Sequence, residues 1–257
     1  MTAADADGRV RTSRDGAVLT VTLDRPDQLN AQTPATWTAL AAVGASLDDD
    51  VRVVVVRGAG RSFSAGLDRS LFSTDPSTPG GLGELGSMPA ELAQERIRSY
   101  QAAFRWLRSP GIVSVAGVQG HAIGAGAQLA LACDLRVLTE DASLRLPETT
   151  FGLVPDLTGT STLTELVGYS RAMEICLTGR AVGAAEALTT GLANAVVPAA
   201  GLDEAVAGLV AALTAPPAGA SRETAALVRS AVRNPPDVQD AAERAAQARR
   251  LAELAGT

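Results

Sequence analysis

The chain has 257 residues, of which 46% are hydrophobic and 3% aromatic, and its formal net charge at pH 7 is −6. No run of basic residues interrupts the acidic balance, so the sequence predicts neither a nucleic-acid partner nor an anionic-membrane surface. The few aromatic residues exclude the stacking platforms of single-strand binders. One histidine and two distant cysteines, Cys133 and Cys176, are too few for a common zinc site, and no metal is expected.

The first sixteen residues contain no apolar core of a signal peptide, and the chain has no long uninterrupted apolar segment. The two separated cysteines suit buried thiols of a reducing compartment. We therefore expect a cytoplasmic protein without a membrane partner.

The first half of the chain alternates between strand and helix patterns. Two β-like runs, residues 17–25 and 51–60, flank a segment with helical spacing, residues 33–50. In this segment Thr33 precedes Pro34, which predicts an N-cap followed by proline at the first helical position. The order strand, helix, strand predicts a right-handed crossover and a largely parallel sheet. The Gly/Ser/Pro-rich residues 73–87 are predicted to form a loop.

The rest of the chain moves from strands to helices. Residues 91–109 predict an amphipathic helix that ends at Pro110, and residues 112–120 predict a third strand. Short strands are expected at 135–140 and 144–148, and from about residue 161 the pattern is helical nearly to the end. The final three amphipathic helices are expected at 202–215, 220–232 and 237–256. The predicted class is an α/β core, residues 1–198, with an all-helical C-terminal region, residues 199–257.

Two glycine-containing turns, RSFSAGLD (61–68) and GHAIGAGAQ (120–128), each follow a β-like run. Small residues allow a ligand to approach the backbone, and a strand-to-helix turn leaves N–H groups without a partner. Two such turns that face each other could present two N–H donors to one oxygen, as in an oxyanion hole. The alternative is that each is an ordinary tight turn. A phosphate-binding loop is disfavoured because the Gly-Lys-Ser/Thr ending is missing.

Five segments occur in the order typical of one family: LDRPDQLNAQT (23–33), RSFSAGLD (61–68), VQGHAIGAGAQLALACDLRV (118–137), LPETTFGLVPDLTGT (146–160) and LTGRAVGAAEALTTGLANAVVP (177–198). Over nearly its whole length the chain resembles the crotonase, or enoyl-CoA hydratase/isomerase, superfamily. The resemblance implies a core of repeated ββα turns, a helical trimerisation region and a CoA thioester substrate, with no separate cofactor.

By their positions in the family motifs, the backbone N–H groups of Leu67 and Ala125 are predicted to bind the thioester oxygen and to stabilise an enolate. The resemblance also places a set of neighbouring residues at the substrate: Ala65, Gly66, Asp68, Gly124 and Gln128.

Two acidic residues, Glu148 and Asp156, are the predicted catalytic pair. Hydratases of the family use two glutamates, and Glu148 matches the second of them, whereas Gln128 stands at the first position and cannot act as a general base. Asp156 occupies a position where the hydratase pattern usually has glycine. This combination resembles the dienoyl-CoA isomerase branch, although that branch carries a third acid where Gln128 stands.

Apolar residues around the two acids are expected to raise their pKa values toward those useful for proton transfer; they are Phe151, Leu153, Val154 and Leu157. Structural alternatives exist for both acids. Glu148 could be a loop or helix-entry carboxylate, and Asp156 could cap a helix that begins near Leu157.

Three functions are compatible with these residues. The leading hypothesis is an enoyl-CoA or dienoyl-CoA isomerase of fatty-acid metabolism that acts through a thioester enolate. The alternatives are an enoyl-CoA hydratase, in which Asp156 or Gln128 helps to position water, and an acyl-CoA binding protein without catalysis. The Ala- and Leu-rich C-terminal helices also predict a homo-oligomer, either a trimer or a dimer of trimers.

Overall fold

The computed structural model describes residues 9–256, which form two β-sheets surrounded by helices. The strands are β1 (Val10–Asp15), β2 (Val18–Leu23), β3 (Val53–Gly58), β4 (Val113–Val118), β5 (His121–Ile123), β6 (Leu135–Thr139), β7 (Ser143–Arg145), β8 (Ala181–Gly183) and β9 (Ala195–Val197). The larger sheet has the order β1-β2-β3-β4-β6-β9, and the smaller one has the order β5-β7-β8.

The larger sheet is parallel except for its first pair. Strands β1 and β2 form an antiparallel hairpin, and each later neighbour pairs in parallel. Strand β3, with the sequence VVVVRG, is almost entirely buried. A continuous apolar run of this kind is typical of a parallel strand that is covered on both faces.

Ten α-helices lie within the described residues. They are α1 (Pro34–Ala45), α2 (Leu82–Ser87), α3 (Ala90–Arg105), α4 (Ala125–Ala132), α5 (Gly159–Val167), α6 (Tyr169–Thr178), α7 (Ala184–Thr189), α8 (Leu202–Thr214), α9 (Ala218–Ala231) and α10 (Pro236–Ala255). Two 3-10 helices, Arg69–Phe72 and Glu148–Phe151, also bear on the functional site.

The main core lies on the side of the larger sheet that carries α1, α3 and α4. All eight residues of α4 are buried, including the polar Gln128. On the opposite face, α8 covers β3 and β4 through a smaller cluster of Val53, Val55, Val115, Val206, Leu209, Val210 and Leu213. The fully buried α4 therefore runs through the interior, where its N-terminus meets the turn that precedes it.

The structure confirms most of the predicted elements with narrower bounds. The predicted strands at 17–25, 51–60 and 112–120 correspond to β2, β3 and β4, and the predicted α/β core with a helical C-terminal region is present. Thr33 caps α1 as expected, and it forms a capping box with Thr36. The last three predicted helices are α8, α9 and α10.

Two sequence-based expectations are wrong in detail. The predicted loop at 73–87 contains α2, and the region after residue 161 is interrupted by the short strands β8 and β9. Strand β1 was not predicted. The division of the chain at residue 198 stays a prediction.

No single helix within residues 9–256 is both long and apolar enough to span a membrane. The segment Ala199–Thr214 and α9 meet these limits only when they are taken together, and they are bent by 104° at their junction.

Candidate active site

The two glycine-containing turns lie side by side and are joined by backbone hydrogen bonds. The N–H of Ser64 donates to the carbonyl of His121 (2.9 Å), and the N–H of Ile123 donates to the carbonyl of Ser64 (3.0 Å). A Cβ added to Gly126 would overlap the Ser64 carbonyl, so the start of α4 packs directly on the first turn. The structure therefore brings together the two turns that the sequence analysis selected.

Gly66 makes this close approach possible. Its φ is +84°, in the left-handed region, and an added Cβ would overlap the Ile123 carbonyl oxygen and lie 3.4 Å from the backbone nitrogen of Ala125. Leu67 follows directly and pairs with Gln32 in an isolated β-bridge. The backbone of residues 66–67 thus runs beside the N-terminus of α4, close to the second predicted donor.

Neither predicted oxyanion-hole N–H has a protein acceptor within the described part of the chain. Both neighbours of Leu67 in the first turn are engaged: the N–H of Gly66 donates to Ser64 Oγ (3.2 Å), and that of Asp68 donates to the Gln32 carbonyl (2.9 Å). Ala125 is the first residue of α4, where helix geometry leaves the N–H without an intrahelical partner. Two unpaired donors on adjoining turns can bind one oxygen.

The flanking residues Ala65, Asp68 and Gly124 have structural roles in the same turns. The N–H of Ala65 donates to the Leu29 carbonyl (2.8 Å), and the N–H of Gly124 donates to the Arg145 carbonyl (2.8 Å). The Asp68 carboxylate accepts from the N–H of Ser70 (3.1 Å), which caps the 3-10 helix Arg69–Phe72. These residues shape the first turn and the entry to α4, and their contact with substrate stays a prediction.

An ion pair also occupies the Asp68 carboxylate. Its partner is Arg25 Nη2, at 3.0 Å. Arg25 in turn donates through Nη1 to the Ala31 carbonyl (2.7 Å). Both charged groups therefore have protein partners, and the ion pair connects the first turn to residues 25–31.

Glu148 begins the 3-10 helix Glu148–Phe151 and is buried, with a relative exposure of 9%. Its Oε1 accepts a hydrogen bond from Gln128 Nε2 (2.8 Å), whereas its Oε2 is buried and has no partner within residues 9–256. A Cβ added to Gly124 would lie 3.5 Å from Glu148 Oε1, so the carboxylate adjoins the turn that carries Ala125. An unpaired buried oxygen is costly unless a ligand or a proton satisfies it.

Gln128 connects this carboxylate to the segment that carries Asp156. Its Oε1 accepts from the backbone N–H of Leu157 (2.8 Å) and from that of Gly159 (3.2 Å). Gln128 was predicted to contact substrate, but its side-chain amide is occupied by protein partners at both ends. Sequence reasoning could not identify these partners, because they lie 20 to 31 positions away along the chain.

Burial raises the pKa of Glu148, an effect that hydrogen bonds from the backbone and Gln128 partly offset and that the charge of Asp156 increases. Burial likewise raises the pKa of Asp156. The effect of one charge on the other means that the two acids lie within electrostatic reach. Both groups are shifted toward the range in which a carboxyl can exchange protons near neutral pH.

Asp156 does not cap a helix. The N-cap of α5 is Thr158, so the proposed capping role is wrong. The backbone carbonyl of Asp156 accepts from Gln101 Nε2 on α3 (2.7 Å), which fixes the segment from the side opposite to Gln128. Gln101 had not been selected from the sequence, since nothing in a helical pattern indicates a contact with a loop 55 residues away.

The expected apolar surroundings of the two acids are only partly present. Leu157 is buried, but Phe151 and Val154 are 59% and 68% exposed and do not enclose the carboxylates. The Phe151 ring packs instead against Phe72, with the ring centroids 5.2 Å apart. Of these three side chains, only Leu157 can therefore lower the polarity around the two acids.

No group of three or more His, Cys, Asp or Glu side chains suited to a metal ion occurs within residues 9–256. His121 is exposed, and its Nδ1 lies 3.3 Å from Ser143 Oγ. These observations give His121 a structural contact in the smaller sheet.

Comparisons with known proteins identify the family of this chain. The family model described as enoyl-CoA hydratase/isomerase matches residues 13–254. The chain is 33% identical over 189 residues to the peroxisomal Delta(3,5)-Delta(2,4)-dienoyl-CoA isomerase of Arabidopsis thaliana, a match covering 73% of this chain and 68% of the relative.

Solved structures of the same family share the fold of this chain. A Thermobifida fusca protein in complex with acetoacetyl-CoA is 47% identical, with a TM-score of 0.92 and 97% of each chain covered. Enoyl-CoA hydratase from Mycobacterium smegmatis is 30% identical, with a TM-score of 0.80, over 95% of this chain and 91% of the other. The predicted crotonase-like fold is confirmed, and the chain belongs to the enoyl-CoA hydratase/isomerase family.

Proposed function

We propose that the protein is an enoyl-CoA or dienoyl-CoA isomerase that shifts double bonds through a thioester enolate. The observation that carries this proposal is the state of Glu148: a buried carboxylate with one unpaired oxygen, beside the turn of Ala125 and within electrostatic reach of a second acid. An isomerase needs one group to remove a proton and a group to return one at another carbon. Two carboxyls supply both functions without an activated water.

An acyl-CoA thioester is the proposed substrate. The Thermobifida fusca relative has been crystallised both with acetoacetyl-CoA and with CoA. In this chain the N–H groups of Leu67 and Ala125 would receive the thioester oxygen and stabilise the negative charge that develops there. The chemistry consists of proton transfers alone, so we propose that no cofactor or metal beyond the CoA of the substrate is required.

The two acids have different places along the acyl chain. Glu148 adjoins Gly124 at the entry to α4, so we assign it the proton on the carbon next to the thioester. Asp156 lies on the following segment and would exchange the proton further along the conjugated system. A proton removed by Glu148 leaves an enolate, and protonation at the distant carbon completes the shift of the double bond.

Hydration of an enoyl-CoA is the second candidate, because the Mycobacterium smegmatis relative is an enoyl-CoA hydratase. A hydratase must activate water, and Gln128 cannot do so as a base because an amide does not ionise in this range. Glu148 would have to perform both proton transfers, or Asp156 would have to activate the water. The hydrogen bonds that occupy both ends of the Gln128 amide favour isomerisation.

Amide substitutions test the proposal. Glu148→Gln and Asp156→Asn retain shape and hydrogen bonding but remove the titratable proton. Each should lower isomerisation turnover by a factor on the order of 10² or more, which is a typical general acid–base contribution. Acyl-CoA binding, measured by titration calorimetry, should change by less than about threefold, since the thioester is bound by backbone N–H groups.

Glu140→Gln is the matched control, because it makes the same chemical change at an exposed glutamate. It should leave both turnover and binding unchanged. Normal turnover in Glu148→Gln would refute its role. Normal turnover in Asp156→Asn would instead favour a mechanism with a single base.

We also propose that the protein assembles as a trimer or a dimer of trimers. The support is the burial of the C-terminal helices: no residue of α9 and only Ala246 of α10 is buried in the single chain, while several of their aliphatic side chains are exposed. Both cysteines are free, which is typical of proteins in a reducing compartment, so we propose a cytoplasmic location.

A further inference from the structure

We infer that Gln128 is a positioning residue for Glu148. Its side-chain amide binds one carboxylate oxygen, leaves the other oxygen for proton transfer, and holds the carboxylate in register with the segment of Asp156. The inference deepens the proposed function and rests on it. Gln128 is itself unable to exchange a proton, so its effect must act through the two acids.

The orientation of the Gln128 amide follows from its partners. Its Oε1 receives the N–H groups of Leu157 and Gly159, which are backbone groups that can only donate. The amide nitrogen must therefore be at the other end, where it donates to Glu148 Oε1. A reversed amide would place the NH₂ group against two N–H donors, so the hydrogen-bond network allows one orientation.

The surroundings leave the side chain little freedom. Gln128 is 1% exposed, and an added Cβ on Gly159 would lie 2.7 Å from Gln128 Cγ. No water can replace the amide at Glu148 Oε1 without displacing the packed side chain. The donor to Glu148 is thus fixed by the same contacts that hold the turn at residues 157–159, directly after Asp156.

The two oxygens of the Glu148 carboxylate therefore have different surroundings. Its Oε1 is engaged by the amide, and its Oε2 is the atom without a partner among the described residues. A hydrogen bond to the ionised carboxylate favours that form, so Gln128 also opposes the effect of burial on the Glu148 pKa. Loss of the amide should therefore release the carboxylate to rotate and should raise its pKa.

Other groups around Glu148 must be considered in any pH experiment. Asp156 faces it from the segment before α5, and Cys176 faces it from α6, where burial and the charge of Glu148 raise the pKa of the thiol. Arg145 on β7 donates to the Gly179 carbonyl (2.5 Å). A substitution at Gln128 leaves the Asp156 and Cys176 side chains chemically unchanged, but Gln128→Met also removes the acceptor of the Leu157 and Gly159 N–H groups. A change in the acidic limb of the pH profile therefore reports on Glu148 together with the segment of Asp156.

The experiment compares two substitutions at Gln128. Gln128→Met removes the donor and the acceptor at nearly constant volume, whereas Gln128→Glu retains oxygens for the N–H groups of Leu157 and Gly159. Isomerisation is followed as kcat and KM over the pH range in which each variant is folded. In Gln128→Met we expect kcat to fall about tenfold or more with KM within about threefold, and the acidic limb to move to higher pH.

Gln128→Glu separates the two functions of the amide, because it keeps an acceptor for the N–H groups of Leu157 and Gly159 but removes the permanent donor to Glu148. The new carboxyl would lie against Glu148, so the pair should share one proton and titrate with two apparent pKa values. Between these two pKa values the new carboxyl can hold the shared proton and donate to the ionised Glu148 in place of the lost amide, so kcat should approach that of the parent. As pH rises through the upper of these two pKa values the shared proton is lost, so the alkaline limb of the variant should differ from that of the parent, in which only Asp156 must stay protonated.

Thr149→Val is the matched control for a general loosening of the loop. Thr149 Oγ1 anchors the Glu148 turn to the Cys176 carbonyl on α6 (2.7 Å) without touching the carboxylate. It should lower the melting temperature but leave the pH profile unchanged. A shift equal to that of Gln128→Met would overturn the inference.

The outcomes also separate this inference from the proposed function. An inactive Glu148→Gln combined with parental kcat and pH profile in Gln128→Met would overturn the positioning role alone. Full turnover in Glu148→Gln would overturn the proposed function. If Gln128→Met does not fold, an alkaline limb in Gln128→Glu identical to that of the parent contradicts the positioning role.

Discussion

Glu148 is a carboxyl in a buried position, and this has a consequence for stability. Burial is the main cause of its raised pKa, so the folded chain holds the proton more tightly than the unfolded chain, in which a glutamate titrates near pH 4.3. Between these two pKa values the folded state binds more protons, and the stability of the parent therefore falls as pH rises through this window. The ionised group is a cost to folding at neutral pH.

Glu148→Gln should consequently stabilise the protein while it lowers turnover. The amide does not titrate, so we expect a higher melting temperature than that of the parent at pH 7 to 8. Each kcal/mol corresponds to about 2–4 °C for a chain of this size. The difference should shrink as pH falls toward the titration range of an unfolded glutamate. Thermal melts at several pH values measure this, and a less stable variant at pH 8 would contradict the burial argument.

The residues of the site could be selected from the sequence, but their contacts could not. Glu148, Asp156 and the two turns stand at recognisable motif positions. The Gln128 bond to Glu148 depends on the distance between α4 and a 3-10 helix, which no local pattern contains. The exposure of Phe151 and Val154 was also missed. Gly152, with φ +73°, ends the 3-10 helix between these two residues.

At the scale of elements, the site depends on the contact between the first turn and the start of α4. Gly66→Ala should disrupt this contact, because its Cβ would overlap the Ile123 carbonyl in addition to the cost of a positive φ. We expect a loss of stability above about 2 kcal/mol and a loss of acyl-CoA binding. Denaturant unfolding and calorimetric binding measure the two effects.

Gly16→Ala provides the control. Its φ is also positive, at +52°, but an added Cβ meets nothing within 4 Å. It should cost about 1–2 kcal/mol from the backbone alone and leave binding intact. Equal effects of the two substitutions would mean that the close approach of the turns is not required.

The sequence predicts long elements better than short ones. The buried run of β3 and the capped α1 carry strong local signals. Strand β1 (VRTSRD) is mainly polar and mostly exposed, and it becomes a strand because the hairpin pairs it with β2. Strands β8 and β9 have three residues each, and tertiary pairing rather than propensity determines them.

At the scale of the whole molecule, the exposed aliphatic side chains of the C-terminal helices support assembly. Val228 and Val232 are 64% and 59% exposed and lie four residues apart, on one helical face. Leu251 and Leu254 of α10 are 55% and 81% exposed. A surface of this kind is usually covered by a partner.

The double substitution Val228→Glu/Val232→Glu should therefore weaken the assembly. Light scattering should give about 79 kDa for a trimer of 26.2-kDa chains, or about twice that mass for a dimer of trimers, and a smaller mass for the variant. Leu92→Glu, at a 60% exposed leucine of α3, should keep the parental mass. A parent that is monomeric at micromolar concentration would refute the proposed assembly.

We propose that two carboxyls and a non-ionisable Gln128 make this chain an isomerase. The most direct measurement is kcat/KM for 3-enoyl-CoA, 3,5-dienoyl-CoA and 2-enoyl-CoA in one preparation, with the products separated by chromatography. We predict that isomerisation of a 3-enoyl or 3,5-dienoyl substrate exceeds hydration of 2-enoyl-CoA by about 100-fold or more, the usual size of a missing acid–base contribution. Rapid formation of 3-hydroxyacyl-CoA from 2-enoyl-CoA, with slower isomerisation of both other substrates, would contradict it.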